Sequence, residues 1–91
     1  MKKYKLIELS LDGCANCISM KANLIELSKT FPDLEVAFLD ASLNIDLVKQ
    51  YNIESLPCLI LICDGKLIAS VNGFQPLEIL EIWIESKISV S

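Results

Sequence analysis

Cys14-Ala15-Asn16-Cys17 sets two thiols three positions apart in a chain that has four cysteines and no histidine. The lack of His removes the commonest general base, the commonest metal ligand and the Cys-His nucleophile pair, so chemistry must run on thiols, carboxylates or backbone. Thiols one helical turn apart can close a disulfide or exchange with one. If the first lies at a helix N-terminus, unpaired N–H groups and the helix dipole stabilise its thiolate, lowering its pKa from about 8.5 toward roughly 3.5 to 7.5. Cys14 is then the nucleophile, and Cys17 attacks the mixed disulfide on Cys14 to release reduced product. The competing use of such a pair is half of a zinc site, which needs two more Cys or His ligands at suitable spacing. There is no second C-x-x-C. Cys58 and Cys63 lie five apart in one apolar run, so they face opposite sides of a strand and stay unpaired.

The elements that must position these thiols follow from hydrophobic period and turn chemistry. Lys5 to Ser10 is a short, mostly apolar strand that ends at Asp12-Gly13, which puts Cys14 at a strand-to-helix junction. From Ala15 to Thr30, Cys17, Met20, Leu24, Leu27 and then Phe31 recur at spacings of three and four, an amphipathic helix stopped by Pro32. Leu34–Leu39 is a second strand. A polar stretch leads to a short helix from Asn44, its expected N-cap, to Tyr51, with Ile45, Val48 and Tyr51 as its inner stripe. Cys58–Cys63 is a strand apolar on both faces. Asp64-Gly65 is a two-residue hairpin turn into Lys66–Val71. Pro76 suits a first helical position, and Leu77, Leu80, Ile84 and Ile88, with Ile79 and Trp83 beside them, mark a last helix before a short polar tail. The order is β-α-β-α-β-β-α. A right-handed crossover from the first strand to the second leaves the third to pair with the first on its other side. The expected fold is α/β with a four-stranded mixed sheet in the order 2-1-3-4, one helix on one face and two on the other.

The chain has 91 residues, 53% of them apolar, with eight lysines, no arginine and 12 acidic residues for a net charge of −4. A chain this short fits one domain, residues 1–91, and buries only a little over about 60% of its unfolded surface. The acidic balance and scattered lysines argue against a nucleic-acid partner. The longest apolar run, residues 58–63, falls far short of the roughly 20 residues of a membrane span. Glu8, Asp12 and Asn16 interrupt any signal-like stretch behind Met1-Lys2-Lys3, and a cytoplasmic, monomeric protein is expected. Four cysteines in an Ile- and Leu-rich chain read as redox or core residues rather than as a disulfide framework.

With these elements in place, the chain resembles the thioredoxin superfamily over Lys5 to Lys87, in a minimal, glutaredoxin-sized form without room for an extra N-terminal strand and helix. The likeness is carried by strand, C-x-x-C, helix, strand, helix, the Leu56-Pro57 step, the hairpin at Asp64-Gly65, then Gly73 and a last helix. Tyr51-Asn52-Ile53-Glu54-Ser55-Leu56-Pro57 is similar to the family segment that leads to a cis-proline beside the active site. The resemblance implies a thiol-disulfide oxidoreductase without cofactor or metal. Its substrates would be protein or small disulfides, and its electron donor a reductase or a thiol pool. It further implies that Leu56 and Pro57 shape the substrate groove beside Gly73, and that Glu8 exchanges a proton with Cys17. Phe74, after Gly73, is either an exposed substrate contact near the cysteines or an ordinary core or loop aromatic. For Glu8 the alternative is a solvated strand-edge carboxylate, because the family's paired lysine matches Phe38 here. The spacer departs from the family's Trp-Cys-Gly-Pro-Cys, and no glutathione-recognition residues are evident. Cys58 follows the expected cis-proline; it is a small buried residue or, in a metal or iron–sulfur binding module, a third ligand beside Cys14 and Cys17. Trp83 is expected in the core.

Overall fold

The computed structural model describes residues 3–90. Strand β1 (Tyr4–Ser10) leads into helix α1 (Ala15–Thr30), then strand β2 (Leu34–Asp40), a 3₁₀ turn at Ala41–Leu43, helix α2 (Ile45–Gln50), strand β3 (Cys58–Cys63), strand β4 (Lys66–Asn72) and helix α3 (Leu77–Val90). The four strands form one sheet in the order β2-β1-β3-β4, as the sequence predicts. β1 runs parallel to β2, from Tyr4 beside Leu34 to Ser10 beside Asp40. β3 runs antiparallel to β1, with Cys58 across from Leu9, and β4 antiparallel to β3. The hairpin turns at Asp64 (φ 52°) and Gly65 (φ 80°), the left-handed pair that matches strand twist. Leu61 pairs with Ala69 but Ile62 with Leu67, so Ile68 is the extra residue of a bulge.

Strand parity sorts the side chains into two layers. Tyr4 and Leu6 of β1 and Leu59 and Leu61 of β3 meet Met20, Leu24 and Leu27 of α1 and Leu80 and Ile84 of α3. On the opposite face, Ile7, Leu9, Cys58 and Ile60 pack with Leu47, Tyr51, Ile53 and Leu56 from α2 and the segment after it. Burying each large side chain stabilises the fold by about 1.5 to 3 kcal/mol relative to leaving it in water. Trp83 packs, half-buried, against the first layer.

Local geometry corrects three expectations. The stripe Ile45, Val48, Tyr51 is not the inner face of α2: Ile45 is 48% exposed, and Leu47 and Tyr51 make the core contacts. Six residues, fewer than two turns, are too few for a helix's own period to fix its rotation. Asn44 stands at the N-cap position but makes no side-chain cap; its Nδ2 donates to the Asp40 carbonyl at 2.8 Å. Asp40 caps the 3₁₀ turn, accepting from the Ser42 N–H at 2.8 Å. In α3, Pro76 accepts from the Ile79 and Leu80 N–H groups, one position earlier than expected, Ile79 is exposed, and the helix runs to Val90 through most of the expected tail. Ser91 lies outside the described residues.

Candidate active site

α1 begins at the thiol pair. Leu11 to Gly13 form a turn in which the Cys14 N–H donates to the Leu11 carbonyl at 3.3 Å, and Gly13 supplies φ 81°. The turn leaves Cys14 extended (φ −87°, ψ 103°) at the N-cap, and its Sγ accepts from the Cys17 N–H at 3.1 Å. A sulfur in the place of a capping oxygen thus receives one of the orphan N–H groups of the helix start. In the reduced protein that donor favours the Cys14 thiolate, as does the helix dipole. Cys14 and Cys17 are joined by a disulfide, with Cα atoms 5.2 Å apart. Cys14 is half-buried and Cys17 is 4% exposed.

Glu8 is 1% exposed, on the face of β1 that α1 covers. It lines a cleft of about 280 Å³ with Cys17, Lys21, Phe38 and Asp40, and its Oε2 is the one buried side-chain oxygen or nitrogen without a hydrogen-bond partner among the described residues. Burial pushes its carboxyl from the ordinary 4.5 up to about 7, against the pull of the Lys21 charge. A carboxyl shifted that far is close to its midpoint at neutral pH, where both its charged and its neutral forms are populated. Glu8 is therefore not a solvated strand-edge group.

The same sheet end gathers the other candidate residues. Leu9, Cys58 and Asn72 are aligned across β1, β3 and β4, so Pro57 and Gly73 adjoin the end from which the chain leaves for Cys14. Leu56-Pro57 is cis, Pro57 is buried, and the Gly73 N–H donates to the Pro57 carbonyl at 2.7 Å. Gly73 (φ 88°) takes a left-handed conformation that lets the backbone turn here. Leu56 is half-buried and Phe74 is 39% exposed.

Cys58 is not brought into this set. It is buried with Ile7, Leu9 and Ile60 toward α2, on the face of the sheet opposite Glu8, whereas Cys63 packs on the α1 side. Burial pushes the Cys58 thiol above its usual pKa, which disfavours the thiolate a metal requires. Among the described residues, no three His, Cys, Asp or Glu side chains converge as a metal site would demand. The metal-binding alternative finds no geometry here.

A family model described as Thioredoxin matches residues 1–86. The chain belongs to the thioredoxin family. It is 34% identical over 89 residues to Thioredoxin Y2, chloroplastic, of Arabidopsis thaliana, covering 97% of this chain and 53% of that one. It is 26% identical over 74 residues to Thioredoxin-2 of Pyricularia oryzae, covering 81% and 43%. The chain thus spans about half the length of the curated relatives it matches. Among solved structures it superposes on a mutant thioredoxin of Halobacterium salinarum with a TM-score of 0.85 and 28% identity, covering 93% of this chain and 74% of that one. Mitochondrial thioredoxin 3 of Saccharomyces cerevisiae, in its oxidized form, shares the fold at a TM-score of 0.83 and 24% identity, covering 94% and 80%.

In this thioredoxin-family chain the structure adds residues that the sequence pattern does not single out. Lys21 enters the Glu8 cleft, although its place on α1 reads as part of the polar face. Asn23 donates from Nδ2 to the Gln75 carbonyl at 3.0 Å, tying the segment after Gly73 to α1 across 52 residues. Leu11, Ala41, Ile45, Val48, Ile53 and Leu56 line an apolar groove of about 480 Å³ on the α2 side. No helix among the described residues is long and apolar enough to cross a membrane.

Proposed function

We propose that the chain is a thiol-disulfide oxidoreductase that reduces protein or small disulfides through Cys14 and Cys17. The observation that carries the reading is the Cys14-Cys17 disulfide at the N-terminus of α1, with the Cys17 N–H directed at the Cys14 sulfur. In the reduced protein the Cys14 thiolate attacks one sulfur of a substrate disulfide, and the other sulfur leaves as a thiolate. Cys17 gives its proton to Glu8 and attacks Cys14 Sγ; the Cys14-Cys17 bond forms as the Cys14-substrate bond breaks. The second substrate sulfur leaves with the electron pair and takes a proton from water. Two electrons have passed to the substrate, and an external reductase or thiol pool returns them.

Glu8 is cast as proton acceptor because it is buried, its Oε2 has no hydrogen-bond partner, and it shares one cleft with Cys17. Pro57 and Leu56 would shape a groove for an extended substrate, with Gly73 and Phe74 on its far side; their common place at one sheet end supports this. No cofactor is required by this chemistry. We further read residues 1–91 as one monomeric domain working in the cytoplasm, without nucleic-acid or membrane partners. The acidic net charge and the unpaired Cys58 and Cys63 support that reading. Reduction of insulin with dithiothreitol as electron source tests the activity: Cys14→Ser should abolish it and Cys17→Ser should accumulate mixed disulfides. Wild-type protein that leaves insulin intact, or Cys14→Ser protein that reduces it, would overturn the assignment.

A further inference from the structure

Lys21 lies one helical turn beyond Cys17 on α1, and both side chains line the cleft over Glu8. Its Nζ stands 5.0 Å from the centroid of the Phe38 ring. Phe38 is the residue beside Glu8 in the β1-β2 register. A ring face attracts a cation through its quadrupole, so Phe38 parks the ammonium of the exposed Lys21 on the cleft while the Glu8 carboxyl stays buried. The other titratable groups on the cleft are Cys17, Asp12 in the loop and Asp40 at the end of β2. Ser42 hydrogen bonds keep Asp40 below the usual carboxylate range, hence ionised at neutral pH. From β3 the partner of Glu8 is apolar Leu59, and α3 brings Leu77, Leu80, Trp83, Ile84 and Ile88 to this layer, none of them titratable. Among the described residues, Lys21 is thus the single cation lining the cleft, with Glu8, Asp12 and Asp40 as its carboxyls.

We propose that Lys21 is a positioning residue: parked on Phe38, its ammonium keeps the Glu8 carboxylate available to take the Cys17 proton. The proposal rests on the reading of Glu8 as the Cys17 proton acceptor. Lys21 makes and breaks no bond; the proton passes from Cys17 Sγ to Glu8, and the Cys17 sulfur pair goes to Cys14 Sγ. Without the ammonium, burial alone acts on Glu8 and favours its neutral form, which has no room for the proton. A charge parked on Phe38 biases Glu8 without sealing it in an ion pair.

The test follows the Glu8 carboxyl by carbon NMR titration and, separately, the pH profile of the resolving step in a single turnover from a mixed disulfide on Cys14. Wild type, Lys21→Met, Lys21→Arg and Glu8→Gln are compared as full chains. In Lys21→Met the Glu8 midpoint should rise by on the order of 0.5 pH unit and the resolving step should slow by about twofold near neutrality, its profile moving to higher pH. Lys21→Arg should restore both. High salt should move the wild type toward Lys21→Met and leave Lys21→Met in place, because an exposed charge is screened. A Glu8 midpoint unchanged in Lys21→Met overturns the proposal while leaving the role of Glu8 intact, provided Glu8→Gln is slow. A wild-type rate and profile in Glu8→Gln instead overturns the proton-acceptor reading, and the proposal with it.

Discussion

The Gly73 N–H donates to the Pro57 carbonyl at 2.7 Å, so the turn that ends β4 is stitched to the cis peptide that precedes β3. An ideal Cβ at Gly73 would meet nothing within 4 Å, yet its φ is 88°. Gly73→Ala should therefore cost about 1 to 2 kcal/mol through backbone strain alone. Gly73→Pro should cost more, because it also removes the donor and leaves the Pro57 carbonyl unpaired. Denaturant midpoints check this, and equal losses for the two variants would show that the hydrogen bond contributes nothing.

Stability should fall as pH rises from about 4.5 to about 7 and level off above that. The Glu8 carboxyl titrates at about 7 in the folded chain against an ordinary 4.5. The folded state therefore holds a proton that the unfolded state has lost between those values. The stabilisation is complete below about 4.5 and gone above about 7, a change of about 3 kcal/mol as an order of magnitude. Asp40, shifted the opposite way, titrates below its ordinary 3.8 and leaves this window untouched. Glu8→Gln should flatten the slope and raise stability at pH 8; urea midpoints across the range measure both, and an equally steep slope in the variant would refute the assignment.

Alkylation of the reduced protein should strike Cys14 first. Cys14 is half-buried and receives the Cys17 N–H, whereas Cys17 is 4% exposed beneath the first turn. A rate difference of about tenfold or more is expected at neutral pH. Mass mapping of quenched samples reads it, and comparable rates at the two positions would remove the electrostatic account of Cys14.

Cys58→Ala should keep the Cys14-Cys17 disulfide and most of the reductase activity, since the Cys58 side chain lies on the α2 face. Its cost should be roughly 0.5 to 3 kcal/mol, the range of a small buried deletion. Insulin turnover and thermal unfolding check the two halves. One equivalent of zinc or iron in the wild type, lost in this variant, would reinstate the metal-binding alternative.

Much of the architecture was legible because each cue was local and redundant. The three-and-four spacing from Cys17 to Phe31, the Asp64-Gly65 turn and the crossover rule each constrain the chain without long-range knowledge. Glu8 shows where local cues stop. Parity groups it with Tyr4 and Leu6, but whether that face is covered at Glu8 depends on how α1 lies across the sheet. The outward turn of Ile45, the Asn23 bond to Gln75 and the approach of Lys21 to Phe38 likewise depend on tertiary placement. A Lys or Asn on a helix carries no period that distinguishes a solvated role from such contacts.

Side chains alternate along β1 and β3, and this parts the molecule's two surfaces of possible change. Glu8 belongs to the face under α1, while the apolar groove of Ala41, Ile45, Val48 and Ile53 belongs to the α2 side; the two meet at Leu11, which lines both, and at Ser42 of the groove, which donates to Asp40 of the cleft. Substitutions that share no contacts combine nearly additively. Substitutions at Ile45, Val48 or Ile53 can therefore reshape the groove without touching the Glu8 cleft, whereas changes at Leu11 or Ser42 reach both. Away from that seam, one sheet insulates two independently adjustable traits.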